Sequence, residues 1–184
     1  MNETLDHKDG MSSNYGNLGN LYLIRKDPSK ATAFFLKSLE IDEELDRRPN
    51  MASNYGSLGN ACYIQRDLDS AEKYYRKSLK INEELGIREG MANQYGSLGN
   101  LYRDRGELDN AEEYYLKSLR INEDLDRKES VALDFANLGN NCYFQGNLNQ
   151  AEEYWNKAMS LFEIVGAKSM VENVSKNLNS LKKM

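Results

Sequence analysis

Large apolar residues recur along the chain at helical spacing, and the whole pattern returns every 40 residues. In the first copy Tyr15, Leu18 and Tyr22 lie at i, i+3 and i+7, which is one face of a helix. In the second copy a broader apolar stripe runs from Ala71 to Leu85 and is wide enough to contact two neighbouring helices. Each copy therefore predicts two helices, A and B, and the first helix A is expected over residues 11–25.

Turn and capping residues predict where these helices begin and end. The turn Lys26-Asp27-Pro28 follows the first helix A, and glycine is expected to end the later copies at Gly106 and Gly146. Gly86 and Gly166 suit the left-handed residue that follows helix B. Capping boxes at the start of helix B are predicted for Asp69 with Glu72, Asp109 with Glu112, and Asn149 with Glu152.

The repeat register predicts a single solenoid domain over residues 1–184. A solenoid stacks repeats against their neighbours and needs a terminal element with one polar face. The predicted repeats are 11–50, 51–90, 91–130 and 131–168, preceded by a remnant of an earlier helix B at 1–10 and followed by a capping helix at 169–183.

The composition narrows the classes of function. Hydrophobic residues make up 40% of the chain and charged residues 29%, with a net charge of −5. An acidic chain without concentrated Lys and Arg does not favour nucleic acid or anionic lipid as a partner. The polar start of the sequence and the lack of a long apolar run make the cytoplasm the expected compartment.

No catalytic or cofactor chemistry is predicted. Cys62 and Cys142 align with Tyr22 and Tyr102, which makes them small core residues, and the lone His7 lies in a polar leader. No phosphate loop, metal spacing or nucleophile elbow is present, so we expect no enzyme, no cofactor and no metal.

One heptapeptide occurs in every copy: NYGNLGN at 14–20, NYGSLGN at 54–60, QYGSLGN at 94–100 and DFANLGN at 134–140. Each glycine within a helix costs roughly 1 kcal/mol against alanine. Gly16, Gly56 and Gly96 are predicted to point towards the inner, concave wall. The final asparagine of each copy lies on the same helical face, four residues further on.

The order Tyr15, Leu18, Gly19, Tyr22, Ala31, Phe35 and Ser38 resembles the tetratricopeptide repeat, whose pattern is Trp-x2-Leu-Gly-x2-Tyr, then Ala-x3-Phe, then a small residue. The usual period is 34 residues, whereas this one is 40. Such long repeats are similar to those of the Pins-related spindle-orientation adaptors and of kinesin light chains. The resemblance implies an all-α, right-handed superhelical solenoid in which Gly19, Gly59, Gly99 and Gly139 lie where helix A meets helix B most closely.

In that family the position of the final asparagine lines the concave groove and binds peptide main chain. The resemblance therefore implies a peptide-binding row, although these amides could instead bond a neighbouring helix A and stiffen the stack. The row consists of Asn20, Asn60, Asn100 and Asn140. Adjacent candidates are Asn17, Ser57, Ser97 and Asn137, with Leu23, Tyr63, Arg103 and Tyr143 one turn further on.

The expected function is a protein-interaction module that binds an extended or helical segment of a partner protein. The groove lacks the lysines with which family members hold a C-terminal carboxylate, so an internal segment is expected. The alternative is a self-associating scaffold or a fragment of a longer array in a larger regulatory protein, because an apolar edge near Met11, Tyr15 and Leu18 has little cover.

Overall fold

The computed structural model describes the backbone of residues 2–181 and the side chains of residues 8–181. These residues form nine α-helices and no strand, which confirms the prediction of an all-α solenoid. The helices are α1 (Asn2–Ile24), α2 (Pro28–Glu44), α3 (Arg48–Ile64), α4 (Leu68–Leu85), α5 (Arg88–Asp104), α6 (Leu108–Asp124), α7 (Lys128–Phe144), α8 (Leu148–Val165) and α9 (Lys168–Leu181).

Helices α3, α5 and α7 begin three residues before the predicted repeat starts at 51, 91 and 131. The first helix differs more, because α1 runs without a break from Asn2 to Ile24. No turn separates residues 2–10 from helix A, so the origin of that stretch in an earlier repeat stays a prediction. Residues 182 and 183 of the predicted capping helix and the side chain of His7 lie outside the described residues.

Left-handed residues mark every turn between helices and lie 20 positions apart. Four of them are glycines, as predicted: Gly86, Gly106, Gly146 and Gly166. The other four carry side chains at positive φ and are Lys26, Asp46, Arg66 and Asp126. The register of the turns is therefore kept even where the residue type does not favour the conformation.

The N-caps lie two residues before the predicted ones, so the predicted capping boxes are wrong. Asp67 accepts a hydrogen bond from the backbone N of Ser70 at 3.1 Å, and Asp27 accepts one from Lys30 at 3.1 Å. The predicted cap residue Asp69 is already inside α4. Asp109 lies likewise inside α6 and Asn149 inside α8.

The chain divides into two compact units, which are described separately: unit 1 is Met1–Gln94 and unit 2 is Tyr95–Met184. The core of unit 1 contains Ala31, Phe35, Leu39, Ala52, Tyr55, Leu58 and Ile81. The core of unit 2 contains Ala132, Cys142, Ala151, Trp155, Ala158, Phe162, Val174 and Leu178. The predicted single domain over residues 1–184 stays a prediction.

In each helix pair the glycine of Leu-Gly-Asn lies against an aromatic ring of helix B, as predicted. A methyl group added at Gly19 would lie 2.5 Å from the ring of Phe35, and one at Gly99 would lie 2.6 Å from Tyr115. Gly59 and Gly139 are equally close to the rings of Tyr75 and Trp155. The helical propensity lost at these glycines is thus offset by a close packing contact.

The earlier glycine of the heptapeptide lies beside a polar side chain of a neighbouring helix, and its direction towards the inner, concave wall stays a prediction. A methyl group at Gly16 or Gly96 would lie 3.7 Å from the hydroxyl of a helix B serine, Ser38 or Ser118. At Gly56 it would lie 3.0 Å from the amide nitrogen of Gln94. These glycines therefore adjoin polar side chains of neighbouring helices, of which Ser38 and Ser118 are buried.

Those side chains form what we call the polar seam, a set of buried polar residues where helix B meets the next helix A. In unit 1 it consists of Ser12, Ser38, Asp42 and Asn54, each less than 8% exposed. The Asp42 carboxylate accepts hydrogen bonds from Ser12 Oγ at 2.8 Å and from Asn54 Nδ2 at 2.8 Å. Ser38 donates to the carbonyl of Ser12, which explains why the small residue at this position is a serine.

In unit 2 the carboxylate lies on the other helix. Asp134 of α7 accepts hydrogen bonds from Asn122 Nδ2 at 2.7 Å and from Ser118 Oγ at 3.1 Å, both on α6. Between α8 and α9 the equivalent positions are apolar, with Ala158, Phe162 and Val174. The first residue of the heptapeptide, Asn54 or Asp134, therefore makes the polar contacts between repeats. Its equivalent in α9 is the apolar Val174.

Two substitutions in α5 separate the effects of the two glycines. Gly99→Ala should lower the free energy of unfolding by about 1–3 kcal/mol, because its methyl group overlaps the Tyr115 ring. Gly96→Ala should leave the free energy of unfolding unchanged or raise it by up to about 1 kcal/mol. Alanine has the higher helix propensity, and the added methyl group would make only a van der Waals contact with Ser118. Urea unfolding of both variants measures the difference. Equal stabilities would contradict the assigned contact.

Burial of Asp134 predicts a pH dependence of stability. Desolvation raises the pKa of this carboxyl from 3.8 to about 6, against the hydrogen bonds from Asn122 and Ser118 that lower it. Between these two pH values the folded state binds more protons than the unfolded state. This contribution to stability is therefore full below pH 4 and is lost as the pH rises to 6, by on the order of 2–3 kcal/mol.

Asp134→Asn should abolish that slope, because a neutral carboxamide has no proton to lose and its oxygen still accepts hydrogen bonds. Urea titrations at several pH values between 4 and 7 test this prediction. Glu129→Gln, at an exposed position of the same helix, is the control and should keep the slope. A slope that persists in Asp134→Asn would assign the effect to another group.

Candidate functional site

The row of four asparagines lies at the surface of the helix pairs, and three of its amides are held by an aromatic residue of helix B. Asn20 and Asn60 are exposed, whereas Asn100 and Asn140 are half-buried. The Oδ1 of Asn60 accepts a hydrogen bond from the hydroxyl of Tyr75 at 2.9 Å. In unit 2 Asn100 accepts from Tyr115 at 2.8 Å and Asn140 accepts from Trp155 Nε1 at 3.0 Å.

The bonds to helix B are an arrangement that neither alternative foresaw, whereas the bond from Asn177 of α9 to Asn140 fits the alternative of a contact with a neighbouring helix. Each of the three amides bonds the aromatic residue that also packs on the preceding glycine, within its own helix pair. A carboxamide has one acceptor oxygen and two donor hydrogens on Nδ2. Within residues 8–181 the Nδ2 groups of Asn60, Asn100 and Asn140 have no protein acceptor. The donor half of each amide therefore remains for another molecule.

The indole of Trp155 fixes which half of the Asn140 amide is used. A tyrosine hydroxyl can donate or accept, whereas an indole N–H only donates, so the atom facing Trp155 is the oxygen. The Nδ2 of Asn177 on α9 donates to the same oxygen at 3.2 Å. The amide oxygen of Asn140 therefore accepts two hydrogen bonds, and these bonds fix the orientation of the amide group.

The first member of the row has no such partner, because helix B of that pair carries Phe35 in place of tyrosine or tryptophan. Asn20 and Asn17 instead border a polar cavity of about 230 Å³ in unit 1. Other residues around it belong to the polar seam, including Ser38, Asp42 and Asn54. The two predicted residues therefore come together, but their surroundings differ from those of the later copies.

A larger cavity, of about 740 Å³, lies in unit 2 and contains three predicted residues: Arg103, Asn140 and Tyr143. It lies among α5, α7 and α9, with Trp155 of α8 also in contact. The remaining lining residues are Asp104, Gly106, Leu108, Phe144, Asn177 and Ser180. Its volume falls in the range of sites that bind small ligands or single peptide residues.

The other predicted site residues are all half-buried. They are Ser57, Ser97, Asn137, Tyr63 and, in the first copy, Leu23. Of these, Ser97 and Tyr63 already interact with other residues.

The last residue of each helix A, which was not predicted as a site residue, is exposed in three copies as a large apolar side chain. Ile24 is 79% exposed, Ile64 is 52% exposed and Phe144 is 63% exposed. Asp104 is the counterpart in the third copy. The repeat register could have identified these residues, since three of four copies place a large apolar side chain at this position.

The charged groups of the unit 2 cavity compensate one another. The guanidinium of Arg103 lies 3.3 Å from the carboxylate of Asp104, and the two side chains are 20% and 19% exposed. Both cysteines are buried, as predicted, and burial raises the pKa of the Cys62 and Cys142 thiols. A raised thiol pKa leaves little thiolate at neutral pH, which disfavours thiol chemistry.

A tetratricopeptide repeat family model matches residues 10–84 and 90–164. A search of curated proteins gives no match. None of the described helices has the length and apolar character needed to cross a membrane.

Solved structures share the fold at low sequence identity. BtubC (BKLC) from P. vanneervenii is 23% identical with a TM-score of 0.77, covering 86% of this chain and 66% of that one. Aspartyl phosphate phosphatase F from Bacillus subtilis is 13% identical with a TM-score of 0.84, covering 89% and 43% respectively. A STAND protein with a tetratricopeptide repeat sensor from Pyrococcus horikoshii is 21% identical with a TM-score of 0.79, covering 89% and 25%. This chain thus spans between a quarter and two thirds of these proteins.

Proposed function

We propose that this chain, which belongs to the tetratricopeptide repeat family, binds an internal segment of a partner protein through its row of asparagines. The observation that carries the proposal is the pairing of Asn60, Asn100 and Asn140 with aromatic residues of helix B. Because each amide oxygen is already occupied, the amide nitrogen is the atom that remains to donate. The natural acceptor is a main-chain carbonyl oxygen of the bound segment.

An extended segment fits these donors better than a helical one. The carbonyls of a helix interior are occupied by the helix's own N–H groups, whereas those of an extended chain are free to accept. Pre-oriented amides also lose little conformational freedom on binding, which favours affinity. We therefore favour an extended conformation over the helical alternative.

The charge of the unit 2 cavity supports an internal segment over a free C-terminus. The only Lys or Arg among its described lining residues is Arg103, and this guanidinium already lies beside Asp104. A terminal carboxylate entering the cavity would lose water without gaining an unpaired cation. An internal segment brings only neutral main-chain groups.

The proposal includes a cytoplasmic location and no catalysis. Unpaired cysteines such as Cys62 and Cys142 are typical of proteins in reducing compartments. The phosphatase activity in the name of one structural relative belongs to that protein, of which this chain covers 43%. A closer kinship with Pins-related adaptors or kinesin light chains remains a hypothesis based on the repeat length.

The second candidate function is self-association through α1, favoured by the exposure of its apolar face. Leu18 is 37% and Leu21 is 40% exposed, whereas their counterparts in α3, Leu58 and Ala61, are fully buried. A second copy of this chain could cover that face and bury comparable apolar area.

The double substitution Asn60→Asp and Asn100→Asp tests the proposed amide donors. Aspartate keeps an oxygen for the hydroxyls of Tyr75 and Tyr115 but removes the donor nitrogen. A peptide selected against the chain from a displayed random library should lose affinity roughly tenfold or more, at about 1 kcal/mol per hydrogen bond. Isothermal titration calorimetry measures the change.

The control for the added charge is Asn156→Asp, at an exposed position of α8. The selected peptide should bind this control as tightly as the original chain. A second double variant, Asn60→Ala with Asn100→Ala, removes the amide donors without adding charge. Both double variants should weaken peptide binding similarly. Unchanged affinity in the alanine variant would reject the amide row as the binding determinant.

Self-association has its own measurement. Multi-angle light scattering should show a mass that rises with protein concentration, and Leu18→Lys with Leu21→Lys should return it to the monomer value. Leu36→Lys, at a leucine of α2 that is 43% exposed, is the control and should change nothing. A constant monomer mass at all concentrations would rule out this candidate.

A further inference from the structure

The cavity of unit 2 differs from the rest of the asparagine row in its aromatic content. Tyr143 and Trp155 have ring centroids 5.7 Å apart, and Tyr143 meets Phe144 edge-on at 5.9 Å. In the second copy the same positions hold Tyr63, Tyr75 and the aliphatic Ile64. We call the site in the fourth copy the aromatic pocket. It is formed by Tyr143, Phe144 and Trp155, together with Asn140 and Asn177.

Phe144 shows that the aromatic pocket is open to a ligand. Its side chain is 63% exposed although it contacts Tyr143 in an edge-to-face pair. An exposed ring of this size buries a large apolar area when another ring packs on it, and ring pairs add to the energy of that burial. The pocket therefore offers an apolar surface next to the polar amide of Asn140.

The amide of Asn140 is oriented by the pocket itself. Trp155 Nε1 and Asn177 Nδ2 both donate to its oxygen, at 3.0 Å and 3.2 Å. The nitrogen of the same amide is the atom left to donate, beside the aromatic side chains. A peptide residue can satisfy both features at once, with its carbonyl on the amide nitrogen and its side chain against the rings.

Charge decides which side chain the pocket prefers. Arg103 and Asp104 line it together and lie 3.3 Å apart, so they neutralise each other. A charged ligand side chain would lose its hydration without an unpaired opposite charge to meet. The pocket therefore favours a neutral side chain.

We propose that the aromatic pocket is the specificity pocket of the chain and accepts an aromatic residue of the bound segment, with that residue's main-chain carbonyl accepting from Asn140. This inference rests on the proposed function and names the side chain that unit 2 selects. The cavity of about 740 Å³ is large enough for one aromatic residue with its flanking peptide groups.

The test uses N-acetyl-phenylalaninamide, which carries one aromatic side chain between two peptide groups. The chain has one tryptophan, so the indole N–H signal of Trp155 reports on this pocket alone. Titration followed by NMR should shift that signal saturably. N-acetyl-lysinamide and N-acetyl-glutamate amide should produce no saturable shift. A leucine analogue that binds as tightly as the phenylalanine one would overturn the aromatic preference.

Phe144→Ala should weaken the binding of N-acetyl-phenylalaninamide about fivefold, the loss expected for one aromatic contact. Because Phe144 is largely exposed, this substitution leaves the fold intact. Asn140→Asp should also weaken binding, since it keeps an oxygen for Trp155 but removes the donor. Ile64→Ala, at the matching position of unit 1, is the control and should have no effect.

No saturable shift in the original chain, or an unchanged affinity in Phe144→Ala, would overturn the pocket. This failure is distinct from failure of the proposed function, which is tested with a selected peptide on the double variants of Asn60 and Asn100. If N-acetyl-phenylalaninamide does not bind but the selected peptide still depends on the asparagine amides, only the aromatic specificity is rejected. If N-acetyl-phenylalaninamide binds but the selected peptide does not depend on the amides, unit 2 has a small-ligand site and the proposed peptide-binding row is rejected.

Discussion

The contact between the glycine of Leu-Gly-Asn and an aromatic ring of helix B determines the geometry of each helix pair. A methyl group at Gly99 would lie 2.6 Å from Tyr115, so the ring rests directly on the backbone of α5. The next residue is Asn100, and the hydroxyl of the same ring reaches its amide oxygen at 2.8 Å. One close approach therefore sets the helix spacing and orients the candidate binding group. Phe35 keeps the packing in the first pair but lacks the hydrogen-bond donor.

The helices and turns could be predicted because the repeat multiplies weak local signals. Glycines at 86, 106, 146 and 166 identify turns that Lys26 or Asp46 alone would not. Helix starts were missed because Arg48, Arg88 and Lys128 are polar and extend no apolar stripe. The capping prediction failed because Asp69 and Glu72 match the motif inside a helix, while Asp67 supplies the cap.

The candidate site was harder to predict, since its contacts join residues far apart in sequence. The row of asparagines is visible in the repeat, but the bond from Trp155 to Asn140 depends on how two helices pack. The surroundings of Gly16 depend likewise on Ser38, a residue of the adjacent helix α2. Sequence spacing predicts which residues share one face of a helix, whereas these contacts depend on how two packed helices are aligned with each other.

The polar seam has a consequence for how such an array can change its number of repeats. Asp42 pairs with Asn54 and Asp134 pairs with Asn122, so each buried acid meets an amide 12 positions away. Loss of 40 residues by recombination would place Asp42 opposite Gln94, or Asn82 opposite Asp134, and keep an acid with an amide. Loss of residues 51–130 would place Asp42 opposite Asp134, two buried carboxylates that repel each other. Buried charge therefore tolerates the loss of either inner repeat, 51–90 or 91–130, and disfavours the loss of both.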